Sequence, residues 1–308
     1  MRAVRTESNR DPITAVFLQE HQLPRNKHKT HMSIAKAQRL HLIIAYGTIS
    51  GGRTYGGTAI IIPFEAIELD QGESLDDARD RITRSKHNLA NGRAVSANII
   101  LEGSKRKLLS AYAPSNPTTE YSRTHFFSAL GKMTNKRTYM GIDANCIHDL
   151  ILDDKREGTN PRNNEGILKL EELLEENHLV DVARAFLGTS PPSAIFLTSD
   201  HVTAGGKRCQ ARLDRIYVPD DPHLEWSHSH CDDFFPHPKS RVEYDHIAIH
   251  IRTRTFTTEK GNDLNYINEA VFTSPLFLSR VQAMISSTLA SPERPSEDIR
   301  ETWEEIKT

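Results

Sequence analysis

Thr138-Tyr139-Met140-Gly141-Ile142-Asp143-Ala144-Asn145 places a carboxylate and an amide at the end of a short apolar run. A run that is apolar along its length and polar at its end reads as a buried strand, here over 137–142, that delivers its last groups to a sheet edge. Four further runs share the plan. Ile13 to Leu18 leads into Gln19-Glu20, and Lys107 to Tyr112 leads into Ala113-Pro114-Ser115-Asn116. The run 211–218 carries Asp214, and 241–251 carries Asp245-His246. Carboxylates, an amide, a phenol and an imidazole are the groups needed to hold Mg²⁺ and cleave a phosphodiester. Each run also has a plainer reading. Asp and Asn favour turns because they hydrogen-bond their own backbone, and Glu20 alone could be a lone edge glutamate. An acid–imidazole pair inside a strand is costly to bury without partners, so Asp245-His246 is read as facing a site.

Composition narrows the class. A chain of 308 residues suits one large α/β domain with an appendage, or two small domains. The formal charge of −2 gives no global basic field, although a local basic groove suffices for nucleic acid. The 15 histidines are scattered and read mainly as surface residues. Cys146, Cys209 and Cys231 form no CxxC pair, which points to a reducing compartment. The spacing of His228, His230 and Cys231 is not a common zinc pattern. No apolar h-region follows Met1, and no apolar run approaches the ~20 residues of a membrane span. The expectation is a soluble, intracellular protein, nuclear or cytoplasmic, with no membrane partner.

Along the chain, 13–18, 40–46, 58–63, 94–103, 107–113, 194–199, 212–218 and 246–253 join 137–142 as strands, with 40–46 and 58–63 paired as a hairpin. Residues 21–38 read as a basic loop, and 74–85 as a loop or short exposed helix. The basic run 103–107 reads as a solvated hairpin turn. Thr118-Thr119-Glu120 is expected to cap a helix reaching Leu130, with Tyr121, Phe126 and Phe127 on or near one face. Asn164-Glu165 is expected to open a second helix, in which Ile167, Leu170, Leu173 and Leu174 recur at helical spacing. Strands this numerous, mixed with helices, suggest two packed sheets with helices outside. After about residue 257 the composition shifts, and Phe277, Val281, Ile285 and Leu289 form an amphipathic stripe.

The order of these motifs resembles the endonuclease/exonuclease/phosphatase family, in particular the AP-endonuclease-like domains of non-LTR (LINE-type) retrotransposons. Leu18-Gln19-Glu20 is similar to the family's LQE. Gly56-Gly57 before Thr58 to Ile62 is similar to its glycine turn and apolar strand. Tyr112-Ala113-Pro114-Ser115-Asn116 is similar to YAPN, and Gly141-Ile142-Asp143-Ala144-Asn145 to GDFN. Arg212 to Pro219 resembles the DRIYVS stretch, and Tyr244-Asp245-His246 resembles SDH. The resemblance covers roughly residues 13–253. Leu264 to Glu269, Ser274 to Phe277 and Trp303 to Lys307 resemble the linker that leads to a reverse transcriptase in such elements.

The resemblance implies a DNase I-like, four-layer α/β/β/α sandwich with two packed mixed sheets, over 1–256, and a helical linker over 257–308. It implies an Mg²⁺-dependent phosphodiesterase that nicks DNA, with Mn²⁺ as a substitute ion and a reverse transcriptase domain in cis in the full element. Glu20 would hold the metal with Asp143, Asn145 and Asp245. Asp143 would activate water or protonate the leaving oxygen, and Asn145 would orient it. His246 would stabilise the phosphate, Asp214 would hold the His246 ring, and Tyr112 would donate to the phosphate. Arg25, Lys27, Lys29 and Arg123 would contact the DNA backbone. The chain departs from the pattern in three places. GDFN has become GIDAN, Tyr244 stands for a small serine, and no apolar strand carrying the family's first asparagine precedes Leu18, Asn9 being its sole stand-in. The N-terminal strand is therefore expected to be missing. Two other readings follow: an inactive retroelement remnant with the same fold, and a family phosphatase acting on a small phosphoester.

Overall fold

The computed structural model describes residues 13–50, 53–115, 122–149, 153–156, 164–187, 198–202, 208–221, 224–230, 246 and 249–255. In chain order the elements are β1 (Val16–Gln19), α1 (His28–Ala37), β2 (Leu40–Ala45), β3 (Thr48–Ser50), β4 (Arg53–Tyr55), β5 (Thr58–Pro63), α2 (Leu75–Arg84), β6 (His87–Asn88), β7 (Ala94–Leu101) and β8 (Ser104–Tyr112). They continue with α3 (Arg123–Gly131), β9 (Thr138–Asp143), β10 (Asp154–Arg156), α4 (Ile167–Glu176), β11 (Leu179–Asp181), α5 (Val182–Leu187), β12 (Ser199–Val202), β13 (Arg208–Ala211), β14 (Asp214–Pro219), β15 (Leu224–His230) and β16 (Ile249–Thr255). The chain divides into two compact units, 1–257 and 258–308. The second unit lies outside the described residues, as do the expected stripe at Phe277 to Leu289, the Thr118–Glu120 cap, Asn9 and the question of an upstream strand. No described helix is long and apolar enough to cross a membrane.

Two sheets carry the fold. The first is antiparallel among the described residues, in the order β1-β5-β2. The second runs β11-β14-β9-β8-β7-β6, with β8 and β9 parallel and the other pairs antiparallel. Period two sorts each strand's side chains into layers. On β2 and β5, Ile43, Ala45, Ile60 and Ile62 face the second sheet and meet Val95, Ala97, Leu108, Tyr139 and Val218. Leu40, Leu42, Ile44, Ala59 and Ile61 face outward and are covered by Ala35 of α1. On the far side Leu109, Ala111, Met140, Ile142 and Tyr217 pack under Phe126, Phe127 and Leu130 of α3 and Leu170, Leu173 and Leu174 of α4. The layers are thus α/β/β/α. Both faces of the central strands are covered, so β2, β5 and β9 are buried along their whole length, and each enclosed isoleucine or leucine contributes roughly 1.5–3 kcal/mol.

Three local readings need correction, and a fourth, at 74–85, resolves to its helical alternative. Residues 28–37 are a helix, because His31 and Ala35, one helical turn apart, are its buried positions. Neither is a large apolar residue, so the expected periodic signal is absent while Ile34 is exposed. The 74–85 stretch is a helix with a capping box between Ser74 and Asp77, and it buries Ala78 and Ile82. The α3 cap is Ser122, whose hydroxyl accepts from the His125 amide at 3.1 Å. Asn164 and Glu165 serve other elements. Asn164 exchanges hydrogen bonds with both backbone groups of Ile147, and the Glu165 carboxylate accepts from the Arg123 and Thr124 amides at the start of α3, where a negative charge suits the helix dipole.

Candidate active site at the mouth between the sheets

Strand register brings the first three groups together. Tyr112 on β8 pairs with Asp143 on β9, and Asp143 pairs with Asp214 on β14. Partners in register point to one side of a sheet. That side is the one facing the first sheet, because Leu108, Tyr139 and Val218, at even spacing from them, lie in the core between the sheets. The row therefore opens at the edge of the sandwich.

The first sheet meets this row through β1. A Cβ on Gly141 would lie 2.6 Å from the Phe17 side chain, so only glycine lets β1 lie this close on β9. Gln19 Nε2 then donates to Gly141 O and to Ser110 Oγ, each at 3.2 Å, and Ser110 Oγ donates to Leu18 O at 3.0 Å. These bonds aim the next residue, exposed Glu20 with φ 50°, at the row. The following turn needs Gly57, whose φ of 96° and position against the His21 ring leave no room for a side chain.

Asp143, Asp214 and His246 converge on one point. One ligand atom from each lies within 4.8 Å of the others. His246 Nδ1 lies 2.7 Å from Asp214 Oδ2, and Asp214 is held by its amide donating to the buried Thr198 hydroxyl at 2.9 Å. Burial first, and then the Asp214 charge, push the Asp143 carboxyl up from 3.8 to about 7, and Glu20 adds to the rise. Burial, then Glu20 and Asp143, push the Tyr112 phenol up to about 12, so it is a protonated donor at neutral pH. The Arg93 guanidinium lies over the Tyr112 ring, 5.1 Å from its centroid. Asn145 sits at φ 48°, donates its amide N–H to Asp143 Oδ1 at 3.0 Å and donates Nδ2 to Ala113 O at 2.9 Å.

The structure thus gathers Tyr112, Asp143, Asn145, Asp214 and His246, with Glu20 close enough to shift two of them. Asp245 and Tyr244 lie outside the described residues. Arg25, Lys27 and Lys29 are exposed before and within α1. Arg123 is a correction: it is 1% exposed and donates to Asn145 O at 2.8 Å, so it braces the Asp143 turn and is too buried to meet a DNA backbone. Arg93 and Thr198 were not singled out from sequence. Arg93 follows a glycine before a strand, and Thr198 ends an apolar run, but which strands would neighbour them is a matter of topology.

The donor set suits a hard cation. Two carboxylates and an imidazole converge, and the Glu20 carboxylate acts on one of them, Asp143.

Comparison with known proteins agrees with this architecture. No protein-family model and no curated protein sequence matches the chain. Among solved structures, AP endonuclease LMAP from Leishmania major matches with TM-score 0.55 at 12% identity, over 83% of this chain and 82% of its own. TDP2 of D. rerio, complexed with a single-strand DNA product, matches with TM-score 0.49 at 14% identity over 82% and 90%. The endonuclease domain of TRAS1, a telomere-specific non-LTR retrotransposon, matches with TM-score 0.48 at 16% identity over 84% and 93%. Resting on the first of these and on its own α/β/β/α layers, the chain has the two-sheet fold of the endonuclease/exonuclease/phosphatase proteins.

Proposed function

We propose that this chain is a divalent-cation-dependent phosphodiesterase of the AP-endonuclease type that nicks DNA, originating from a non-LTR retrotransposon polyprotein. The observation that carries the reading is the convergence of Asp143, Asp214 and His246 at the mouth between the sheets. The AP endonuclease from Leishmania major shares the fold, and fold alone does not assign chemistry. The ordered sequence motifs and this cluster supply the rest of the support. The resemblance of 264–307 to a retroelement linker motivates both the origin and the split into a nuclease unit, 1–256, and a linker, 257–308, leading to a reverse transcriptase in cis.

Mg²⁺, or Mn²⁺ in its place, fits oxygen donors from Glu20, Asp143, Asn145 and Asp245. When bound it offsets the carboxylates' repulsion of a phosphate and polarises the ester. The side chains then divide the work. Asp214 accepts from His246 Nδ1–H, which fixes the tautomer and leaves Nε2 to face the phosphate. Asp143 takes the proton of the attacking water. Tyr112 donates to a non-bridging phosphate oxygen. Asn145 orients the reacting oxygen from the turn that Arg123 braces.

Plasmid nicking with Mg²⁺ tests the reading. Asp143→Ala and His246→Ala are each expected to lower the rate by about 10²-fold or more. Wild-type protein that nicks no better than either variant sinks the activity claim. Turnover of an inositol phosphate without nicking would assign a small phosphoester instead.

A further inference from the structure

The pole of the second sheet opposite the site carries another group of charges. β8 runs from Ser104 to Tyr112, so at about 3.3 Å per residue its first residue lies about 25 Å from the Tyr112 end. β9 starts and β14 ends at this same pole, since Lys107 pairs with Thr138 and Tyr217 with Met140. Local bonds fix the loops that meet there. The turn between β7 and β8, with Glu102 at φ 49° and Gly103 at φ 67°, is braced by Glu68, whose carboxylate accepts from both of their amides. The Lys107 N–H donates to Arg137 O at 3.0 Å, and the Asn135 side chain accepts from the Arg137 amide at 2.9 Å. The Asp220 N–H donates to His178 O at 2.8 Å.

Two adjoining cavities open between these loops. One, of about 450 Å³, is lined by Gly103, Ser104, Lys105, Arg106, Arg137 and Asp221. The other, of about 250 Å³, shares Arg106, Arg137 and Asp221 and adds Lys136, His178 and Asp220. The basic run that reads as a solvated turn therefore forms one wall of the larger cavity. In the combined lining four Lys and Arg side chains stand against two carboxylates. Arg106 is matched, with Nη2 at 3.4 Å from Asp221 Oδ2. Lys105, Lys136 and Arg137 are exposed and make no ion pair among the described residues. A lone exposed cation is ordinarily solvated. Here three stand around adjoining cavities on loops that are each hydrogen-bonded in place, so their mutual repulsion persists until an anion relieves it.

The lining also limits what the anion can be. The larger cavity is of small-ligand size, about 300–1,000 Å³. No apolar side chain lines either cavity, so charge and hydrogen bonding are what this pole offers. Guanidinium forks and ammonium groups recognise phosphate oxygens in that way. Two cavities joined at Arg106 and Arg137 suit linked phosphates better than one. We propose that this pole binds a small polyphosphate, two or more linked phosphate groups that are free or carried on an ester. Arg137 stands at the junction of the two cavities, with Lys105 in the larger and Lys136 in the smaller. The site is separate from the Asp143 cluster and does not depend on hydrolysis there.

Calorimetric titration of the full chain in metal-free buffer tests this, with tripolyphosphate, adenosine triphosphate, orthophosphate and a hexaglutamate peptide as probes at one ionic strength. Tripolyphosphate is expected to bind about tenfold more tightly than orthophosphate, or better, because each added phosphate gains charge-assisted hydrogen bonds. Arg137→Glu and Lys105→Glu, both at exposed side chains, should each weaken tripolyphosphate binding about tenfold or more. Lys136→Glu takes the place of either variant whose melting temperature shows that it misfolds. His246→Ala should leave tripolyphosphate binding unchanged. Adenosine triphosphate that binds as tightly as tripolyphosphate supports recognition of linked phosphates whatever carries them, and binding of tripolyphosphate alone supports the free chain. Tripolyphosphate that binds no better than orthophosphate, keeps its affinity in both glutamate variants, or loses it in His246→Ala overturns the proposal. Binding of hexaglutamate in its place assigns the surface to an acidic peptide and overturns it as well.

Discussion

Asp143 joins three constraints at the residue scale: it is 6% exposed, it neighbours Asp214 in register, and its backbone turn is held by Asn145. A carboxyl so placed is expensive to ionise. Its value in the folded chain is about 7, against 3.8 ordinarily. Because the folded value is raised, its contribution to stability is fully present below pH 3.8 and is lost as pH rises through 7. At pH 8 the ionised group costs on the order of 4 kcal/mol in the absence of a cation. Asp143→Asn, followed by thermal melting in EDTA, should therefore raise Tm by several degrees at pH 8 and leave it unchanged at pH 4. Mg²⁺ at pH 8 should raise the wild-type Tm and not that of the variant. Equal gains at both pH values would show that burial and the Asp214 charge do not control this carboxyl. The chemistry of such residues was legible from the chain because a carboxylate ending an apolar run is itself unusual. The fate of Arg123 was not legible, since a basic residue near a site reads as a ligand contact until its burial is known.

At the scale of elements, the site depends on how closely β1 lies on β9. Phe17 occupies the space a side chain at 141 would need, and the resulting approach lets Gln19 reach Gly141 O and Ser110 Oγ. Gly141→Ala is expected to destabilise the fold by about 1–3 kcal/mol through overpacking, measured by urea unfolding. Phe17→Ala in the same chain should return part of that loss, because the two side chains then no longer compete for one volume. Strictly additive losses would separate the two positions and remove this account of the glycine. Strands β2, β5, β8, β9 and β14 were readable as apolar runs because both of their faces are covered. Helix α1 was not, because burial at His31 and Ala35 needs no large apolar side chain. α2 reveals itself mainly by its cap, a local hydrogen-bond signal, rather than by a hydrophobic stripe.

For the molecule as a whole, the strand corner before Asp214 is locked by charge rather than by oil. Arg212 gives two parallel hydrogen bonds to Asp181, at 3.0 and 2.7 Å, and a third to Asp153 at 2.9 Å. Arg184 also donates to Asp153. Burial pushes both carboxyls up, but Arg212, with Arg215 behind it, outweighs burial and holds each below its ordinary value. Their folded values are depressed, so their contribution is present above pH 3.8 and is lost as pH falls below it. Arg212→Met leaves two buried carboxylates short of a partner and is expected to cost about 3–5 kcal/mol at pH 7. The gap between wild type and variant, read from urea midpoints, should narrow as pH falls below 3.8. A gap that stays constant well below that pH would mean that the pairing is not what Arg212 contributes.

The amino-acid sequence determined, by itself, which chemical groups this protein brings to a site and the apolar runs that present them. Strand ends, glycine turns and the order of Glu20, Tyr112, Asp143, Asp214 and His246 are local properties of the chain, set by side-chain polarity and backbone permissiveness. The two-sheet architecture followed from the number of such runs and from the resemblance they carry. That Tyr112, Asp143 and Asp214 share one row, that Arg123 is buried, and that Tyr46 stands between His28 and His31 are consequences of packing. Those outcomes depend on register and on sheet-to-sheet approach, which join residues as many as 122 positions apart, as in the bond from Gln19 to Gly141. No window of sequence contains both partners of such a pair, and the closeness of the sheets is decided where Phe17 meets the bare backbone of a glycine.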